Sequence, residues 1–320
     1  MKYIQYQSEP TLRNPVVIAA LGGWNDAADS ATTAIKFLID RWKPDKVAEF
    51  EIEDFFVFTE ARPTIKFVDG IQRTIVWPSS QFLAYQIPSS DHDILLYLGT
   101  EPQLKWKTFS KCFLEVCQKF KTSEVVLLGA LLADVPHSIA VPMSGTSTSS
   151  DMQERLNEMD IHTSRYEGPT GMLGVLQDAF RRAAIPTASL WAAAPHYLAA
   201  TPNIKVTSAL LTYLNTFLSL GLDLSDIQTD AIRFEEQIST LVARDPEASA
   251  YVRKLEEQLA DSMNADDDED DEDDIVFNRD KTVGTGPLPS AESLIRGVEE
   301  LLRKQRENNP QESDEDEESE

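Results

Sequence analysis

Four titratable side chains, Asp134, His137, Glu167 and His196, fall where short apolar runs give way to turns. A carboxylate beside an imidazole can act as a general-base pair. The turn Glu167-Gly168-Pro169-Thr170-Gly171 opens a periodic run from Met172 to Phe180, so Gly168, Thr170 and Gly171 could offer backbone N–H groups to an oxyanion or phosphate at a helix start. Gly22-Gly23-Trp24-Asn25-Asp26 stands in a similar position, between an apolar run and a helical one, which makes Gly22, Gly23, Asn25 and Asp26 candidate ligand-facing residues. Ser144, Thr146 and Ser147 could supply a hydroxyl nucleophile.

None of these signals is specific. The glycine turn lacks the Lys-Ser/Thr ending of a P-loop and the full dinucleotide spacing, and Asp26 and Asp29 would repel phosphate. Asp134-Val-Pro-His137 lacks the glycine-flanked serine of a nucleophile elbow. Two histidines so far apart in sequence make no metal motif. Each candidate therefore has a structural alternative: a hydrogen-bonding histidine beside a proline turn, a carboxylate capping a helix, a tight turn. Trp24 and Trp191 flank these loops as packing residues.

The elements that must position these residues alternate. Asn14–Leu21, Asp45–Ile52, Asp93–Leu98, Glu124–Gly129 and Thr187–Ala194 read as strands. Helices are expected at Ala27–Ile39 with Asn25 or Asp26 as cap, from Glu101-Pro102 through Phe120, at Met172–Phe180 and at Asn203–Leu220. Asp69-Gly70 between two β-rich runs signals a hairpin over residues 64–77, which suggests a mixed sheet. The expectation is a three-layer α/β/α domain over residues 1–222, with ligands taken at the strand C-terminal ends. Beyond it, residues 223–263 read as an antiparallel helical hairpin capped by Ser225-Asp226 and Asp245-Pro246. Residues 264–289 read as an acidic disordered linker, 290–307 as an amphipathic docking helix and 308–320 as an acidic disordered tail.

Charge and composition narrow the partners. The formal charge of −25 falls to −9 without the sixteen acids of Asp266–Asp274 and of the stretch 312–320. No basic face is visible, so nucleic acid is not an expected partner. No apolar run approaches a membrane span. The first residues carry no leader pattern, and Cys112 and Cys117, read as lying on different sides of a helix, make no metal or local disulfide motif; a cytoplasmic location is expected.

Gly22-Gly-Trp-Asn-Asp-Ala-Ala28, Arg62-Pro63, Trp77-Pro78, Leu128–His137, Arg165–Gly171 and Ser189–Tyr197 together resemble the proteasome assembly chaperone 2 family in its actinobacterial-type form, over roughly residues 10–263. The resemblance implies a phosphorylase/hydrolase-like α/β/α fold, oligomeric members, no settled catalytic activity and no cofactor. It implies help in assembling proteasome rings by the eukaryotic relatives. A label of ATP-grasp ligase attached to some relatives finds no support in these residues. Some relatives insert a hydrophobic-tyrosine-X tail into proteasome pockets; here the last residues are Glu317-Glu-Ser-Glu320. The expected function is a non-catalytic oligomeric scaffold or assembly-chaperone-like protein. Its expected partners are further copies of itself and, through the C-terminal arm, proteasome-type subunits or another protein. The alternative is a hydrolase- or phosphorylase-type enzyme or small-molecule binder, which requires a concave pocket where the Gly22, Asp134–His137 and Glu167–Gly171 segments converge.

Overall fold

The computed structural model describes residues 2–265 apart from 69–71, 89, 165 and 200–201. The linker beyond 265, the docking helix and the acidic tail expected from the sequence lie outside the described residues. In chain order the elements are β1 (Ile4–Tyr6), β2 (Val16–Gly22), α1 (Ser30–Trp42), β3 (Asp45–Phe50), β4 (Thr64–Val68), β5 (Gln72–Val76), β6 (Ser80–Tyr85), β7 (Ile94–Thr100), α2 (Trp106–Lys119), β8 (Glu124–Ala133), β9 (Met143–Ser147), α3 (Ser150–Glu158), β10 (His162–Thr163), α4 (Met172–Arg182), β11 (Thr187–Pro195), α5 (Ile204–Phe217), α6 (Ser225–Arg244) and α7 (Pro246–Ala265).

Strand β2 lies inside the sheet because both of its faces are apolar. Val16, Ile18 and Ala20 point into one core and Val17, Ala19 and Leu21 into the other, as the two-residue period of a strand requires. Its neighbours β7 and β8 run parallel to it, and β11 runs parallel to β8. The described sheet has nine strands in the order β1-β3-β6-β7-β2-β8-β11-β9-β10. Antiparallel pairs β1/β3, β3/β6, β6/β7 and β9/β11 make it mixed. Helices α1, α3 and α5 cover one face through Ile35, Leu38, Leu156, Leu210 and Leu214. Helices α2 and α4 cover the other through Phe109, Phe113, Leu176 and Phe180. This is a three-layer α/β/α architecture with a mixed sheet. Successive connections leave β2 toward opposite sides, to β3 by way of α1, and from β7 past it to β8 by way of α2. Such a reversal is a topological switch point, the place in open α/β sheets where ligands commonly bind.

Several details differ from the sequence reading. The hairpin β4–β5 forms, but as a separate two-stranded sheet; the mixed character comes from the antiparallel pairs within the main sheet. Strands β6 and β9 and helix α3 fall outside the expected elements: the apolar run of β6 is only Phe82–Tyr85, β9 is mostly serine, threonine and glycine, and α3 has Met152 and Leu156 as its apolar side chains. Helix α2 starts at Trp106, not at Glu101. Cys112 and Cys117 are both buried in the same core, because helical side chains five apart still share a broad buried face. Helix α1 starts at Ser30, after a single 3-10 turn at Ala27–Asp29.

The helical hairpin of α6 and α7 packs Phe234, Ile238, Val242, Val252 and Leu255 on Tyr197 and Leu198, just past the end of β11. Asp245 caps α7 by accepting from the N–H groups of Glu247 and Ala248, at 2.9 and 3.2 Å. At the start of α6 the capping carboxylate is Asp223, which accepts from the Ser225 N–H at 3.0 Å; Ser225 is already inside the helix.

Candidate functional site

The sequence candidates gather into two clusters. The first lies at the C-terminal ends of β2 and β7. Gly23 takes a φ of +127°, which a Cβ would strain, and lets the chain turn toward Glu101. Asp26 is buried, and its Oδ1 accepts from the N–H groups of Ala31 (2.6 Å) and Thr32 (3.2 Å) while Oδ2 accepts from the Thr32 hydroxyl. It therefore caps α1 from outside the helix, reaching across Ala28 and Asp29. Both of these adopt left-handed conformations, at φ 52° and 51°, which are strained for residues with a Cβ. Asn25 donates from Nδ2 to Glu101 Oε1 at 2.9 Å, and the same oxygen accepts from the Met172 N–H at 2.6 Å. Glu101 thus holds the glycine loop and the first turn of α4 together. Gly171 sits where a Cβ would come within 2.1 Å of Asn25 Nδ2. These two sequence-distant turns do converge.

Burial pushes the Asp26 carboxyl up to about 6, against the hydrogen bonds from Thr32 and Ala31, which favour its ionised form. A group whose pKa is raised on folding contributes stability below its unfolded value of 3.8, and that contribution is lost as pH rises toward about 6. At neutral pH the buried charge is a burden. Asp26→Asn keeps the Oδ1 acceptor and offers its amide to the Thr32 hydroxyl. It should raise stability at pH 7 by about 1–2 kcal/mol and flatten the stability profile through that acidic window. Denaturant titrations at several pH values read this directly; a variant less stable than the parent at pH 7 would show that the ionised cap is needed.

Glu167, Gly168 and Thr170 are exposed on the rim of this cluster, and the carboxylate at the α4 N-terminus is Glu101. Sequence reading missed Glu101 because it stands just past an ordinary strand. Its place at the end of β7, the neighbour of β2, was the available signal.

The second cluster lies beneath the helical hairpin. The His137 N–H donates to Tyr197 Oη at 2.7 Å, and Tyr197 Oη lies 2.8 Å from His137 Nδ1. Nε2, on the other side of the ring, lies 3.1 Å from Ser239 Oγ on α6, so both ring nitrogens are hydrogen-bonded. Burial, reinforced by nearby Lys205, holds the His137 pKa below the ordinary histidine value, while Glu235 and Glu256 oppose this. His196 puts Nδ1 3.0 Å from Asp134 Oδ1 and Nε2 2.9 Å from Tyr251 Oη on α7. Burial, with the charge of Asp134, pushes the Tyr251 hydroxyl up to about 12, so it remains a donor. Lys205, on α5, donates to the carbonyls of His137 (2.6 Å) and Ile139 (2.7 Å) and pairs with Glu235 at 2.6 Å. The Ser138 hydroxyl donates to Glu256. Each histidine thus joins the strand-end loops of the sheet to one helix of the hairpin. The cavity beside His137, lined in part by Val135, Ile139, Pro195 and Phe234, has a volume of about 10 Å³, room for one water.

The three segments therefore do not share one pocket: the glycine turns lock to each other, and the Asp134–His137 loop locks to α5, α6 and α7. Ser144, Thr146 and Ser147 lie on β9 and bond within the fold. Thr146 meets Ser189 at 3.0 Å and Gln177 at 2.9 Å, and Ser147 donates to the Thr187 carbonyl at 3.1 Å. Trp191 lies across Gly129 on the neighbouring strand, while Trp24 is exposed. Among the described residues no cluster of His, Cys, Asp and Glu could hold a metal ion, and no helix is long and apolar enough to cross a membrane.

Residues 20–242 match the PAC2 family. The chain belongs to the PAC2 family. A solved structure described as a proteasome-assembly chaperone homologue of Mycobacterium tuberculosis is 39% identical, with 74% of this chain and 99% of that one covered at a TM-score of 0.66. A PAC2 family protein of Streptomyces avermitilis is 37% identical over the same shares, again at 0.66. The archaeal proteasome activator PbaB of Pyrococcus furiosus shares the fold at 19% identity, a TM-score of 0.60, and coverage of 75% and 99%. No curated protein matches the chain. The PAC2 match takes in the Gly22–Asp26 turn, Glu101, both histidines and α6.

Proposed function

We propose that this PAC2 protein is a non-catalytic, assembly-chaperone-like scaffold that engages proteasome-type subunits and works as a homo-oligomer. The observation that carries this reading is the engagement of the catalytic-type side chains: both ring nitrogens of His137 and of His196 meet partners that tie the sheet to α6 and α7. An imidazole held at both nitrogens by structural partners has no lone pair directed at a substrate. The description of the 39% identical Mycobacterium tuberculosis relative as a proteasome-assembly chaperone homologue supports the partner class. Residues 1–222 act as the body, with the 223–263 hairpin clamped to its strand ends and the acidic arm beyond it available for recognition. The parallel core of β2, β7, β8 and β11 supports a phosphorylase/hydrolase-like ancestry for the body, and the two buried free thiols, Cys112 and Cys117, support a cytoplasmic setting.

One observation favours the enzymatic alternative: two strained left-handed residues, Ala28 and Asp29, follow a buried carboxylate of raised pKa at the switch point. Asp26, however, spends its oxygens on the amides and hydroxyl of its own helix. Affinity capture with full-length protein as bait, followed by mass spectrometry of the native lysate, tests the scaffold reading. Stoichiometric proteasome-type subunits, lost on removal of residues 266–320, are expected. Capture of the protein alone, or turnover of ester or phosphate substrates abolished by Asp26→Asn, would overturn it.

A further inference from the structure

The hairpin β4–β5 stands apart from the rest of the fold. It pairs with no strand of the main sheet, and both of its outer edges are open among the described residues. The register sets Ile65 opposite Ile75 and Phe67 opposite Arg73 on one face, with Thr64, Lys66, Gln72, Thr74 and Val76 on the other, more polar one. The apolar face stays largely in solvent: Ile65, Phe67 and Ile75 are 61%, 59% and 56% exposed, with only the Arg73 guanidinium over the Phe67 ring, and Trp77 just beyond, edge-on to Phe58, is 49% exposed. An isolated two-stranded ribbon is marginal in water and gains independent stability by covering such a face.

The hairpin is also a cationic patch on an acidic protein. From Arg62 to Trp77 the sequence has three cations, Arg62, Lys66 and Arg73, against one acid, Asp69, while the whole chain carries −25. At the foot of the hairpin lies a groove of about 320 Å³ lined by Glu49, Glu51, Ile52, Trp77 and Pro78, with Gln5 of the edge strand β1 on its wall. Its two carboxylates and apolar floor complement a ribbon that presents Phe67 and two isoleucines beside Arg73. Glu49 already pairs with Lys46 at 2.5 Å and Glu51 accepts from Gln5, but a carboxylate has acceptor sites for further donors. Because groove and ribbon adjoin, a two-fold relation seats each copy's ribbon in the other's groove at once, as an isologous interface requires.

We infer that β4–β5 is a self-association arm that docks, apolar face down, into the Glu49/Glu51 groove of a second copy of this chain. The inference deepens the oligomeric part of the scaffold reading and is independent of any proteasome-type partner. It is tested on the purified full-length chain alone, so its failure leaves the capture experiment untouched.

Sedimentation velocity over a concentration series is expected to show a self-associated species for the parent. Phe67→Glu should weaken association at least ~10-fold with no loss of thermal stability, since the residue is exposed. Arg73→Glu and Glu51→Arg should each dissociate alone and re-associate when mixed, because only the mixed pair matches opposite charges at both contacts. A parent that stays monomeric at about 100 μM, an association that survives Phe67→Glu, or a mixture that stays dissociated would overturn the proposal. So would a monomer whose hairpin is protected from hydrogen exchange until residues 266–320 are removed, which would assign the face to the chain's own C-terminal segment.

Discussion

Lys205→Ala is expected to destabilise the protein by about 2–4 kcal/mol and to loosen the helical hairpin before the sheet. The Lys205 side chain is only 17% exposed, and its ammonium is the single donor joining two loop carbonyls, those of His137 and Ile139, to Glu235 of α6. Truncation leaves two carbonyls and one carboxylate without their shared donor, and it removes the aliphatic stem that passes beside them. Much of that penalty comes from groups left unpaired, so Glu235→Gln, which keeps an acceptor for the ammonium, should lower stability by no more than ~1 kcal/mol. Urea denaturation gives the two totals, and hydrogen exchange read segment by segment shows where the loss falls. Equal effects of the two substitutions, or a Lys205→Ala change below about 0.5 kcal/mol, would mean the ammonium is not the hub.

His137→Ala should cost about 3 kcal/mol, because it breaks both ring hydrogen bonds, opens a gap in a buried site and leaves the Tyr197 hydroxyl with only the backbone N–H as its partner. It should also change how stability depends on pH. The folded pKa of His137 is depressed by burial and by Lys205, so below the ordinary value of 6.5 the unfolded chain takes up a proton that the folded one resists. Stability therefore falls as pH drops below 6.5, and this slope should vanish in His137→Ala. Asp26 opposes it over the same acidic range, since its protonation favours the fold. The His137 slope should consequently be steepest in the Asp26→Asn background. A slope unchanged by His137→Ala in that background would place the titrating group elsewhere. Loss of the α6 contact at mildly acidic pH, with the sheet intact, is the local form of the same expectation, because Ser239 on α6 bonds the ring directly.

Both predictions concern residues whose role was only partly legible. The order of strands and helices could be read from the period of apolar residues: β2, β7, β8 and β11 are buried on both faces and appear as continuous apolar runs. The Asp69-Gly70 signal located the hairpin of β4 and β5, and Asp245-Pro246 located the start of α7. Strand β9 escaped because serine, glycine and threonine leave it almost no apolar pattern and it pairs with the distant β11; β6 escaped because its apolar run is only Phe82–Tyr85, although its partner β7 follows closely in sequence. The sequence left the cap open between Asn25 and Asp26, and the reach of Asp26 past two left-handed residues to Ala31 and Thr32 has no local sequence signature.

The sequence by itself determined the alternation of most elements and the helical hairpin, because periodicity, capping and turn chemistry are local properties of the chain, and its motifs from Gly22 to Tyr197 carried the resemblance to the family. It brought forward Asn25, Asp26, His137 and His196 without their partners, and it passed over Glu101 and Lys205. The tertiary structure decided that Asn25, Glu101 and Gly171 meet at one strand end, and that His137 and His196 face α6 and α7 rather than a cleft. It decided, too, that an amphipathic ribbon beside the sheet keeps its apolar face in solvent. The physical reason is that a hydrogen-bonding side chain takes its role from whichever donor or acceptor the fold brings within about 3 Å. That partner can stand a hundred residues away, as Ser239 does from His137, where no spacing rule reaches.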